Sequence, residues 1–179
     1  MRLKMEKPAY AGGKPVRETK LYYGHQYLDE KDVQAVVDVL HSDYLTCGPK
    51  ITELEQRLCD LTGAKYAVVC SNDTAALHIA CMAAGVSAGD EVITTPITFL
   101  ASANCALYCG AKPVFADIDE ETYNIDPKEI EKALTPRTKA VVAVDYTGQV
   151  VDLDTIMETC HKQNVVVIED AAHSIGTLY

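Results

Sequence analysis

AVVAVDYTGQVVDLDTIMETCHKQNVVVI, residues 140–168, decides the fold. Its two ends, Ala140–Val144 and Val165–Ile168, are near-continuous apolar, β-branched runs of the kind that form strands buried on both faces. Between them Asp152–Lys162 reads as a helix. Two such strands joined by a helix are parallel, because a parallel pair needs a long crossover. Working outward toward the N-terminus, further short strands are expected at Ala67–Val69, Glu91–Thr94 and Pro113–Phe115. Helix-like stretches separate them at Thr74–Ala84, Phe99–Tyr108 and Pro127–Leu134. The alternation predicts an α/β fold with a mostly parallel sheet and helices on both faces.

Two helices precede the first strand. Asp29 is placed as an N-cap before Val33, Val36, Val37 and Leu40, which share one helical face. A second helix starts at Pro49, carries Ile51, Leu54, Leu58 and Leu61 as its stripe, and meets a stop at Gly63. Residues 1–28 lack periodicity and read as an N-terminal arm, leaving 29–179 as one domain. Ile175-Gly176-Thr177-Leu178-Tyr179 follows a core strand directly, so the domain is expected to be truncated.

Composition excludes some functions. A net charge of -10 over 179 residues argues against a general binder of nucleic acid or of membrane surfaces, although backbone dipoles can still hold a small anion. The start MRLKMEKPAY lacks the apolar run of a signal peptide, and no apolar segment approaches the roughly 20 residues of a membrane span. The expectation is cytoplasmic. Seven cysteines, among them Cys105 and Cys109 four apart on a helix, show no metal-ligand spacing and read as reduced, buried thiols. No metal site is expected.

Three segments fall at strand carboxyl ends, where open α/β sheets collect ligands. Cys70-Ser71-Asn72-Asp73-Thr74-Ala75 passes from a strand into a helix, whose first amides and dipole favour an anion; the same residues equally serve as a helix cap. Thr95-Pro96-Ile97-Thr98-Phe99 brings an aromatic that could cover a ring or simply join the core. Ile168-Glu169-Asp170-Ala171-Ala172-His173 ends a strand on two acids, which alternation sends to opposite sides. One of them would face the cleft, where a carboxylate can keep a ring nitrogen protonated, unless it only caps the next helix.

Together and in this order, these segments resemble the DegT/DnrJ/EryC1/StrS sugar-nucleotide aminotransferases, pyridoxal 5'-phosphate enzymes of the aspartate-aminotransferase fold. The resemblance runs from Gly12-Gly13-Lys14-Pro15 to Tyr179. Tyr23-Gly24-His25-Gln26, Asp43-Tyr44-Leu45-Thr46-Cys47-Gly48-Pro49-Lys50 and Thr94-Thr95-Pro96-Ile97-Thr98-Phe99 look closest to the pseudaminic-acid branch, which aminates C4 of a UDP-linked 4-keto-6-deoxy-N-acetylhexosamine from L-glutamate. The resemblance implies that Thr74, Ala75 and the Asp73 amide bind the cofactor phosphate and that Phe99 stacks on the pyridine ring. It further implies that Asp170 pairs with the ring nitrogen, that His173 contacts the phenolic oxygen, and that Tyr23, Asp43, Tyr44, Leu45 and Thr46 touch the nucleotide sugar. A homodimer is implied as well. Asp73 stands where the family commonly has Gly or Ala, and its carboxylate is compatible with a phosphate if the side chain turns outward. The family's Schiff-base lysine would lie past Tyr179, since neither Lys139 nor Lys162 matches it, and residues 1–179 alone are expected to be inactive.

Two alternatives remain beside the transaminase. A sugar dehydratase of the same family would carry His at the lysine position, and a non-catalytic protein could keep only the cofactor or UDP-sugar cradle. A dinucleotide-binding domain would want Gly-x-Gly-x-x-Gly after the first strand, which Ser71-Asn72-Asp73-Thr74 does not supply.

Overall fold

In the computed structural model the described residues are 7–22 and 24–179. They divide into two compact units, Met1–Gly48 and Pro49–Tyr179. In the first unit, the described residues before Asp29 are irregular apart from a short 3-10 turn at Ala9–Ala11. Helix α1, Glu30–Leu40, begins as its sequence prescribes. The Asp29 side chain accepts from the Lys31 and Asp32 amides, and Asp32 reaches back to the Asp29 amide to complete a capping box.

The second unit opens with α2, Pro49–Thr62, stopped at Gly63 with φ +73°. Its core is a four-stranded sheet: β1 Glu91–Thr94, β2 Lys112–Phe115, β3 Thr138–Val144 and β4 Val166–Asp170. The spatial order is β2-β1-β3-β4 and every pairing is parallel. Helices α3 Asp73–Ala83, α4 Ala101–Tyr108, α5 Pro127–Ala133 and α6 Leu153–Lys162 fill the connections.

Alternation along the strands sorts the core into two layers. Val92, Ala140, Val142, Val144 and Ile168 pack with Leu77 and Cys81 of α3 and Ala101, Cys105 and Ala106 of α4. Ile93, Val141 and Ala143 pack on the other face with Ile130 of α5 and Ile156 and Cys160 of α6. Helices therefore cover both sides of the sheet, and the central strand β3 is apolar from Ala140 to Val144 for that reason.

One expected strand is absent. Ala67–Val69 forms no ladder, Val68 is 73% exposed, and the Val69 amide donates instead to Oε1 of Glu55. β-branched residues favour extended backbone, but a strand exists only where a second strand takes its N–H and C=O groups. Among the described residues no neighbour does so for this run. The thiols also differ in part from expectation: all seven are free, but only Cys81, Cys105 and Cys160 are buried, and Cys47 is exposed. No helix of the described residues is long and apolar enough to cross a membrane.

At the amino edge of the sheet Glu91, only 3% exposed, is held by Arg137 at 2.6 Å and by the Thr135 hydroxyl at 2.6 Å. These partners keep its carboxyl below the ordinary value, the Thr135 hydrogen bond most and the Arg137 hydrogen bond next.

Candidate functional site at the carboxyl edge of the sheet

The carboxyl ends of β3 and β4 present two acids to opposite faces. Ile168 belongs to the layer of α3 and α4, so Asp170, two residues on, takes that side and Glu169 the other. Asp170 is 5% exposed. Its Oδ2 accepts a hydrogen bond from Ser102 Oγ at 2.9 Å, and Ser102 Oγ in turn lies 2.8 Å from Thr98 Oγ1. Its Oδ1 has only a long contact from the Ala172 amide, at 3.4 Å. Among the described residues no Lys, Arg or His forms an ion pair with it. A buried carboxylate without a cation is costly. One free oxygen and no counter-charge suit a ligand that brings a cationic N–H, and the protonated nitrogen of a pyridine ring is such a group.

The start of α3 lies on the same side. Asn72 is its cap, its side-chain oxygen accepting from the Ala75 amide at 3.0 Å. The Asp73 and Thr74 amides are first-turn donors, which have no intrahelical acceptor, and the helix dipole adds to their pull on an anion. Asp73 itself is exposed. Its carboxyl is held above the ordinary value, first by partial desolvation and then by the charge of Asp170. Phe99, one residue after Thr98, is 74% exposed. Asp73, Thr74, Ala75, Phe99 and His173 thus lie in loops or helix starts, and Asp170 at the end of β4, all at one edge of one sheet.

A second acid organises the neighbouring loops. Asp145 is buried on the α5–α6 side of the sheet; its Oδ1 accepts from the Val151 amide at 3.0 Å and its Oδ2 from Ser174 Oγ at 2.5 Å. Its own amide continues the ladder by donating to the Asp170 carbonyl at 3.1 Å. Glu169 has its carboxyl pushed up, by desolvation first and by Asp145 next. His173 sits exposed on the turn that Ser174 anchors.

Asp43, Tyr44, Leu45 and Thr46 belong to the first unit, where they form an exposed, irregular stretch after α1. Tyr23 lies outside the described residues. A 470 Å³ cleft lined by Asp119, Asn124, Asp126 and Thr155 lies by the starts of α5 and α6 and includes none of the site residues named above.

Sequence reading missed Ser102, Asp145 and Ser174. The four-residue spacing of Thr98 and Ser102 is the one local hint of their contact. Nothing local points to Asp170, 68 residues further along.

Aminotransferases are the class with which this framework agrees. The chain belongs to the DegT/DnrJ/EryC1/StrS aminotransferase family, which it matches over residues 26–179. It is 46% identical to the spore coat polysaccharide biosynthesis protein SpsC of Bacillus subtilis, over 89% of this chain and 41% of that protein. It is 51% identical to the UDP-2-acetamido-2-deoxy-3-oxo-D-glucuronate aminotransferase of Pseudomonas aeruginosa, over 78% of this chain and 38% of the relative. Among solved structures, Helicobacter pylori PseC, an aminotransferase of pseudaminic acid biosynthesis, superposes with TM-score 0.85 at 37% identity, covering 90% of this chain and 44% of PseC. A sugar aminotransferase of Streptococcus pneumoniae in its PMP form gives 0.83 at 31% identity, over 88% of this chain and 43% of that one. The fold is therefore the aspartate-aminotransferase-like α/β fold, and solved relatives hold pyridoxal phosphate or its amine form. The chain spans about two-fifths of the length of the curated relatives it matches.

Proposed function

We propose that the full-length protein is a pyridoxal-phosphate-dependent aminotransferase acting on a nucleotide-linked keto sugar. The observation that carries the reading is Asp170: a buried carboxylate at the carboxyl end of the parallel strand β4, with only a long contact on Oδ1 and, among the described residues, no cation paired to it. When bound, the cofactor would supply the electron sink that amino-group transfer requires. Asp170 would hold the ring nitrogen protonated, and His173 would meet the phenolic oxygen. Phe99 would cover one ring face and shed water from it. The phosphate would rest on the Asp73 and Thr74 amides, with Ala75 small enough to let it approach, because the Ala75 amide already serves the Asn72 cap.

In the finer reading the amino group goes from glutamate to C4 of a UDP-4-keto-6-deoxy-N-acetylhexosamine, in pseudaminic-acid-type biosynthesis. Tyr23 and Asp43–Thr46 would contact the nucleotide sugar, in a cytoplasmic homodimer. The likeness to PseC supports this. A second reading, amination at C3 of a UDP-3-keto sugar, is favoured by the higher identity to the Pseudomonas aeruginosa enzyme. The Schiff-base lysine is proposed to lie outside residues 1–179. Lys139 near the start of β3 and Lys162 in the last turn of α6 both lie at the amino edge of the sheet, away from Asp170.

The test is single-turnover absorbance of the full-length protein loaded with pyridoxal phosphate. Glutamate should bleach the visible band and a UDP-keto sugar should restore it, the 4-keto or the 3-keto compound according to which reading holds. Residues 1–179 alone should do neither. A full-length protein whose band ignores amino donors would overturn the aminotransferase reading.

A further inference from the structure

Ser102 is a serine spent in an unusual way. It sits in the first turn of α4 and is 0% exposed. A buried helical serine ordinarily returns its hydroxyl hydrogen to a carbonyl three or four residues back. Here the hydrogen goes to Oδ2 of Asp170, across 68 residues. The hydroxyl does not serve as a cap, since α4 begins after its N-cap Leu100 without any side-chain cap hydrogen bond.

The direction of the relay follows from counting hydrogens. A hydroxyl has one hydrogen and two lone pairs, whereas an ionised carboxylate only accepts. Ser102 gives its one hydrogen to Asp170, so Thr98, 2.8 Å away, must be the donor to Ser102. The chain Thr98 to Ser102 to Asp170 therefore runs one way, toward the carboxylate. It occupies Oδ2, fixes the rotation of the carboxyl plane and leaves Oδ1 with only its long contact from Ala172.

Resting on the aminotransferase reading above, we propose that Ser102, oriented by Thr98, is a positioning residue that aims Oδ1 of Asp170 at the cofactor's ring nitrogen. Ser102 does not touch the cofactor. Its effect passes through one oxygen of one acid, which makes it separable from a packing role.

The experiment uses the full-length protein and two non-covalent probes, pyridoxamine 5'-phosphate and its 1-deaza analogue, in which carbon replaces the ring nitrogen. Dissociation constants are measured by calorimetric titration for wild type, Ser102→Ala, Thr98→Val and Asp170→Asn. Ser102→Ala should weaken pyridoxamine phosphate about tenfold, equivalent to about 1.4 kcal/mol, and leave the deaza probe unchanged. Thr98→Val should show the same selectivity to a smaller extent, and it carries the test if Ser102→Ala does not fold. Equal weakening of both probes, or of neither, overturns the positioning role. If Asp170→Asn is also unselective, the cofactor reading itself falls; if only Asp170→Asn is selective, the failure belongs to Ser102 alone.

Discussion

Ser174 donates its hydroxyl hydrogen to Oδ2 of Asp145 at 2.5 Å, so the turn after β4 is tied to the loop after β3. The same carboxylate accepts from the Val151 amide, and both bonds are buried. Replacing Asp145 with Ala strands a hydroxyl and an amide, each costing about 1–3 kcal/mol when left unsatisfied. Asp145→Ala should therefore lower unfolding stability by about 2–4 kcal/mol in a urea titration. An unchanged midpoint would show that water replaces the carboxylate without loss.

Asp73 gives a prediction in pH. Its folded-state carboxyl lies above the ordinary 3.8, so the charged form is less favourable folded than unfolded. The penalty is absent in acid below that value and fully present once the pH exceeds the folded-state value. Asp73→Asn should raise stability at neutral pH and give no gain in acid. It should also tighten pyridoxamine phosphate, since a like charge leaves the phosphate's neighbourhood. Weaker binding by the Asn variant would contradict this account.

Glu91 behaves in the opposite sense. Thr135 and Arg137 hold its folded-state carboxyl below the ordinary 4.5. Its contribution is complete above the unfolded-state value and fades as the pH falls through the folded-state one. Wild type should lose stability on acidification through that window, and Glu91→Gln should show a flatter profile there. Parallel profiles for the two proteins would remove Glu91 from the acid response.

Two valines test where the sheet is. Val142 is fully buried in β3, whereas Val68 is exposed in a run that pairs with nothing described. Val142→Ala should cost about 2 kcal/mol through lost burial and a residual cavity. Val68→Ala should stay within about 0.5 kcal/mol. Comparable losses at both positions would mean that 67–69 is structured as a strand after all.

The parts of the fold that were legible in the sequence are those whose cause is local. Asp29 reads as a cap because its partners Lys31 and Asp32 are two and three residues away. β3 reads as a strand because burial on both faces leaves a continuous apolar run; β4 carries a similar run, although at the sheet's edge Val166 and Glu169 are exposed. Val68 misleads because propensity is written in the residue while pairing is written in a neighbour. At the site, the opposite facing of Glu169 and Asp170 follows from strand geometry and is observed. Ser102 was invisible because its partner is brought close only by tertiary packing. Asn72, not Asp73, proves to be the cap of α3, a choice among three adjacent polar residues that composition leaves open.

Gly148 adds a consequence of a different kind. It adopts φ +91°, and a Cβ placed on it would stand 3.0 Å from the His173 carbonyl oxygen. Position 148 is thus a mechanical lever on the turn that carries His173. A single added methyl there would displace the turn without altering any group that meets a ligand, which gives an engineer a way to grade the site's geometry while its chemistry stays constant.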